Sequence, residues 1–97
     1  VARVDTLSQR KREMLRILFF ASLRERLHCN EQQLALSTDI RTVADVKSCL
    51  AGKGGVFAEI FSGTVRVMSA VNQQMVKDEE PVSDGDEVAF FPPVTGG

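Results

Sequence analysis

The residues of this chain best suited to chemistry are its last eight, Phe90-Phe91-Pro92-Pro93-Val94-Thr95-Gly96-Gly97. Phe90 and Phe91 end what reads as a strand. Pro92 and Pro93 forbid helix and withhold their own backbone N–H groups, so a sheet ladder cannot continue through them. Val94 and Thr95 favour extended geometry, and Gly96 and Gly97 carry no side chain. The pattern is a core-anchored strand prolonged as a thin stalk that ends in a free carboxylate. At ~3.3 Å per extended residue, the stretch from Pro92 to Gly97 spans roughly 20 Å. Its tip could enter another protein's active site while the globule stays outside. The plainer reading is a frayed, glycine-rich terminus, but that leaves the Phe-Phe-Pro-Pro anchor unexplained.

Little else in the chain suggests catalysis. His28 is the only histidine, and no serine–histidine–acid arrangement stands out. Cys29 and Cys49 are far apart with no C-x-x-C, which points to neither a disulfide scaffold nor a zinc site. His28 and Cys29 together could offer two ligands, but nothing completes a set of four, so no metal is expected. Gly52-Lys53-Gly54-Gly55 lacks the spacing of a phosphate-binding loop and reads as a flexible helix stop. The acidic run Asp78-Glu79-Glu80 is better explained as a solvated turn than as a catalytic pair.

The elements that must position the tail fit one domain. The chain has 97 residues, 43% of them hydrophobic and 26% charged, with a formal net charge of −1. That balance predicts neither nucleic-acid nor membrane binding. No apolar run approaches the ~18–20 residues that span a bilayer, and no signal-peptide segment is recognisable, so a cytoplasmic location is expected. Residues 1–13 are polar, with Arg3, Arg10, Lys11 and Arg12. They read as a disordered or non-native leader, or as residues upstream of a true start at Met14, rather than as a basic nucleic-acid arm. The domain is expected over residues 14–97.

Leu15–Ala21 is rich in β formers, with Leu15, Ile17 and Phe19 on one face and Leu18 and Phe20 on the other. Ser22 with Glu25 three residues on predicts a capping box and a short helix carrying Leu23 and Leu27 on one side. Gln33–Ser37 alternates, with Leu34 and Leu36 inward, and is expected to pair with the first strand. Thr42 and Asp45 cap a helix of about nine residues whose stripe is Val43, Val46 and Leu50. Val56–Phe61 is apolar and of open type. Thr64–Val71 is expected as the third strand, Met75–Lys77 as a short piece, and Glu87–Phe91 as the closing strand after the tight turn Asp84-Gly85-Asp86. In the closing strand Val88 and Phe90 point inward and Phe91 outward. This order predicts an α+β fold, a mixed β-sheet with one main helix packed on it. By the same alternation Phe20, Met75 and Phe91 lie on the face away from that helix, as a candidate docking surface beside the tail.

The stretch Asp84-Gly85-Asp86-Glu87-Val88-Ala89-Phe90-Phe91-Pro92-Pro93-Val94-Thr95-Gly96-Gly97 resembles the C-terminus of the small subunit of molybdopterin synthase, the MoaD family. Leu18-Phe19-Phe20-Ala21 with Arg24-Glu25, and Ala70-Val71-Asn72-Gln73, fall where that family carries similar segments. The likeness runs from Met14 to Gly97, is specific in the tail and weak from Cys29 to Gly63, and does not extend to residues 1–13. It implies a ubiquitin-like β-grasp fold and a sulfur carrier in molybdenum cofactor biosynthesis. It implies that the Gly97 carboxyl group is adenylated, made a thiocarboxylate, and gives its sulfur to a cyclic pyranopterin phosphate. Gly96, Thr95, Val94, Pro93 and Pro92 would then thread the channel of a partner, and Phe20, Met75 and Phe91 would match the subunit interface. The implied partners are the large subunit, in a heterotetramer of two small and two large chains, and an E1-like adenylyltransferase. The activating enzyme uses ATP, and the carrier itself holds no cofactor. In that family the small subunit supplies sulfur and the large one acts on the pterin.

The chemistry is consistent with this. A terminal carboxylate has a pKa near 3.3–3.7, so it is ionised and a poor electrophile. A mixed anhydride with AMP makes its carbonyl open to attack, and the thiocarboxylate that follows is a sulfur nucleophile. Two readings compete: a sulfur carrier for thiazole synthesis or tRNA thiolation, and a ubiquitin-like modifier joined to lysines. A binding module with a chemically idle tail is a third.

Overall fold

The computed structural model describes residues 13–63 and 65–93. Eight elements follow in order: strand β1 (Met14–Phe19), helix α1 (Ala21–Leu27), strand β2 (Glu31–Ala35), helices α2 (Val43–Ala51) and α3 (Gly55–Phe61), and strands β3 (Met68–Val71), β4 (Gln74–Val76) and β5 (Glu87–Phe91). One sheet contains all five strands in the order β2-β1-β5-β3-β4. The first and last strands run parallel at its centre, and every other pairing is antiparallel.

The alternation expected of the two central strands is present. Leu15, Ile17 and Phe19 of β1, and Val88 and Phe90 of β5, are all essentially inaccessible. Against them pack Val43, Val46 and Leu50, the predicted stripe of α2, each with no exposed surface. The start of α2 forms as the sequence indicates. Asp45 N–H donates to the Thr42 hydroxyl, and the Asp45 carboxylate accepts from Thr42 N–H at 3.1 Å. These bonds satisfy orphan donors of the first turn.

The apolar segment of open type is a helix, α3. Its Ile60 and Phe61 are buried, and Phe57 is half-buried. Phe61 meets Phe90 edge-on at 5.1 Å between ring centres, and Phe57 meets Phe19 at 6.0 Å. Edge-to-face aromatic contacts of this kind add to the gain from burial. They clamp α3 onto the two strands from which the tail emerges.

Four expectations need correction. The Ser22–Glu25 capping box does not form: α1 begins two residues earlier, with Phe20 as its N-cap and no side-chain cap bond. The cause is the sheet, because Phe20 N–H donates to the Phe90 carbonyl at 3.1 Å and holds residue 20 extended. Ala21 then turns the chain at φ +55°, and Ser22 already lies inside the first turn. β1 therefore ends at Phe19 rather than at Ala21. The third strand, expected from Thr64, is confined to Met68–Val71, because that is the stretch for which β4 and β5 supply ladder partners. β2 is shifted to Glu31–Ala35, with Leu36 packed on the core just beyond it. The expected leader at residues 1–13 lies outside the described residues apart from Glu13.

Candidate functional site

The candidate site is built on β5. As the middle strand, β5 is held by β1 on one side and β3 on the other, so the chain leaves the sheet from its most constrained position. Phe91, Pro92 and Pro93 are half-buried. Val94, Thr95, Gly96 and Gly97 lie outside the described residues.

The start of β5 is fixed by a turn that the sequence shows clearly. Gly85 takes φ +86°, a backbone conformation that suits glycine, and its N–H donates to the Met14 carbonyl at 2.9 Å. Asp84 accepts from Met14 N–H, and Asp86 accepts from Ser83 N–H. Asn72 ties the β3–β4 hairpin to the same place. Its side-chain amide donates to Asp86, and its side-chain carbonyl accepts from Glu87 N–H, both at 3.0 Å.

At the other end of β5 the structure places Phe20 beside Phe91. Phe19 is in register with Phe90, and the Phe20 backbone bonds to the Phe90 carbonyl, so the two following aromatics sit side by side on the face away from the helices. Phe20 is 43% exposed, and Phe91 is more sheltered. Met75 is also outward and is 59% exposed. It does not adjoin Phe91, since β3 lies between them. Met68 opposite Phe91, and Ala70 opposite Met75 and Ala89, complete the patch, and Leu18 in register with Ala89 extends it across β1. Sequence reasoning put Leu18 on the outer face with Phe20 but did not pick out Met68, Ala70 or Ala89. The period-two signal was present in Met68-Ser69-Ala70-Val71, but its polar residue, Ser69, is the one that faces the core, at 3% exposure.

The opposite end of the same face is charged. Arg16 makes a two-pronged contact with Glu31, at 2.9 and 3.2 Å, and approaches Glu87 at 3.7 Å. The hydrogen bond and charge of Glu31 push the Arg16 guanidinium further above its already high ordinary value. The outer face is thus apolar where the tail leaves and ionic where it does not.

The remaining chemistry-bearing residues do not converge. His28 ends α1 in the left-handed conformation, the Cys29 thiol donates to the Glu31 carbonyl at 3.2 Å, and Cys49 lies half-buried on α2. Among the described residues no group of three or more histidine, cysteine or acidic side chains could hold a metal ion. No helix among them is long and apolar enough to cross a membrane.

A mixed five-stranded sheet with parallel central strands, helices on one face, and a chain end leaving the middle strand defines a ubiquitin-like, β-grasp protein. Within that class the chain belongs to the ThiS family, whose sequence model matches residues 17–97. It is 39% identical over 84 residues to the molybdopterin synthase sulfur carrier subunit of Escherichia coli strain K12, covering 87% of this chain and 100% of that protein. The subunit of the same name from Haemophilus influenzae is 42% identical over 84 residues, with the same coverage of both chains. Among solved structures, small archaeal modifier protein 1 of Haloferax volcanii superposes with a TM-score of 0.69 at 27% identity, covering 87% of this chain and 99% of that one. A complex of subunits 1 and 2 of the molybdopterin-converting factor from Helicobacter pylori gives a TM-score of 0.56 at 21% identity, covering 87% and 99%, a likeness of fold.

Proposed function

We propose that this chain is the sulfur carrier of a molybdopterin synthase, with Gly97 as the atom-bearing residue. The observation that carries the reading is the 39–42% identity to carriers of that name along their whole length. The exit of β5, at the apolar end of a sheet face whose other end is ionic, agrees with it. In the proposed sequence the Gly97 carboxylate attacks the α-phosphate of ATP on an adenylyltransferase, releasing pyrophosphate. Sulfide then displaces AMP and leaves a thiocarboxylate; a persulfide does so through an acyl disulfide, from which a second thiol releases the thiocarboxylate as a new disulfide forms. Residues Pro92 to Gly96 carry that sulfur into the large subunit while Phe20, Phe91, Met75 and their neighbours dock on its surface. The sulfur attacks a carbon of the pyranopterin phosphate and displaces its oxygen substituent, and water cleaves the thioester so formed, leaving the sulfur on the pterin and returning the Gly97 carboxylate. Two carriers on two large subunits is the expected assembly, in the cytoplasm.

The test is co-expression with a cognate large subunit and an activating enzyme. Co-purification, a mass gain of about 16 Da as oxygen is exchanged for sulfur, and molybdopterin formed only from the thiolated chain are expected. Gly96→Val is expected to keep the fold and block thiolation or transfer, because a Cβ beside the tip clashes in a narrow channel. Normal sulfur transfer by that variant would overturn the channel argument. The likeness to a modifier protein favours one second reading, conjugation to lysines. In that case the intact-mass experiment shows a ladder of heavier conjugates instead.

A further inference from the structure

Among the described residues β2 is an edge of the sheet, bonded to β1 on one side with no strand on the other. Two hydrogen bonds set its phase. Phe19 N–H donates to the Asn30 carbonyl at 2.9 Å, and Leu36 N–H to the Glu13 carbonyl at 2.8 Å. Antiparallel alternation then turns the backbone groups of residues 30, 32, 34 and 36 toward β1, and those of Glu31, Gln33 and Ala35 away from it. All three outward residues are exposed. The Glu31 carbonyl accepts from the Cys29 thiol, and a carbonyl has a second lone pair. Native sheets protect such edges with proline, lysine or a bulge. β2 has no proline or lysine, and its register runs without an inserted residue from Met14↔Ala35 to Leu18↔Glu31. The other edge, β4, is only three residues long and is followed by Lys77.

We propose that β2 pairs with β2 of a second copy of this chain, antiparallel, about a twofold axis through Gln33. That register sets Gln33 against the partner's Gln33, and Glu31 against the partner's Ala35. Each of the three residue pairs formed by the outward groups then exchanges two N–H···O bonds. No like charges face each other, and Glu31 keeps its neutralising contact with Arg16. Moving the axis to Glu31 would oppose two carboxylates, and a one-residue slip would turn the side chains to the wrong faces. The axis is normal to the sheet, so both apolar outer faces look the same way, and β5, two strands inward, takes no part in the contact. A single strand pair buries less than the roughly 1,200 Å² typical of stable complexes, so the dimer is weak and concentration-dependent.

The test is sedimentation equilibrium of the full chain over a wide concentration range. Wild-type protein is expected to pass from monomer to dimer. Gln33→Glu and Gln33→Lys each place like-charged side chains on Cα atoms ~5.5 Å apart across the axis and are expected to weaken the dimer at least tenfold. An equal mixture of the two is expected to restore it. Gln33 faces Arg16 in register, which favours folding of the glutamate variant. Hydrogen exchange of wild-type protein supplies a second measurement, with the Glu31, Gln33 and Ala35 amides gaining protection as concentration rises. A monomer at every concentration, a dimer indifferent to both substitutions (which would put the contact elsewhere, such as the apolar face), or a mixture that fails to reassociate would each overturn the proposal.

Discussion

Gln73 takes φ +71° in the two-residue turn between β3 and β4, directly after Asn72 at φ +50°. A tight hairpin of this kind wants positive φ at both central residues, and asparagine followed by glycine is the favoured pair. Asn72 suits the first position, while Gln73 carries a Cβ where it is disfavoured. Gln73→Gly is therefore expected to raise stability by about 0.5–1 kcal/mol, the strain relieved less the extra chain entropy of glycine, measured by urea denaturation. Ser69 is a second misfit. Its hydroxyl is buried against the core, and among the described residues it finds no hydrogen-bond partner. Ser69→Ala is expected to stabilise by about 1 kcal/mol, since an unpaired buried polar group carries a desolvation penalty; a loss of stability would mean that the hydroxyl is satisfied by bound water. Asp45 behaves oppositely. The Arg41 N–H, with lesser help from Thr42 and against the effect of burial, holds its carboxyl below the ordinary value of 3.8. A folded value below the unfolded one contributes stability that is fully present above the unfolded value and is lost as pH falls through the folded one. Asp45→Asn is expected to remove that component from the acid limb of a stability–pH profile.

At the scale of elements, α2 was legible because its signals are local. Thr42, Asp45 and the Val43/Val46/Leu50 stripe lie within nine residues, and each acts through its neighbours in sequence. Thr42→Ala is expected to cost about 1 kcal/mol of stability, read from the thermal midpoint. The start of α1 was not legible, although Ser22 and Glu25 have the right types and spacing. A hydrogen bond from Phe20 to Phe90, seventy residues away in sequence, fixes the N-cap earlier. The extent of β3 depends likewise on where β4 and β5 offer partners. Phe57 and Phe61 give α3 no polar face strong enough to declare its period, and what makes the segment helical in place is the aromatic contact with Phe19 and Phe90.

For the whole molecule, the arrangement is a rigid sheet that holds the root of the tail and shows a patch beside it. Phe91 lies where the tail begins, with Phe20 and Met68 at the neighbouring positions of the adjacent strands, which puts it at the centre of the proposed docking surface. Phe91→Ala is expected to lower affinity for the large subunit at least tenfold, about 1.4 kcal/mol, by calorimetry, with an unchanged fold. Equal affinity would put the interface elsewhere.

The sequence by itself determined the inward faces of β1 and β5, the capped helix α2, and the end of the sheet ladder at Pro92-Pro93. Each of these rests on the conformational limits of single residues or on the period of one element, which neighbouring residues suffice to express. Only the tertiary structure decided that the first and last strands lie side by side, and with that the neighbouring positions of Phe20 and Phe91. It alone brought Met68, Ala70 and Ala89 to the outer face and left β2 at the edge, because strand order and register are set by which distant surfaces bury one another.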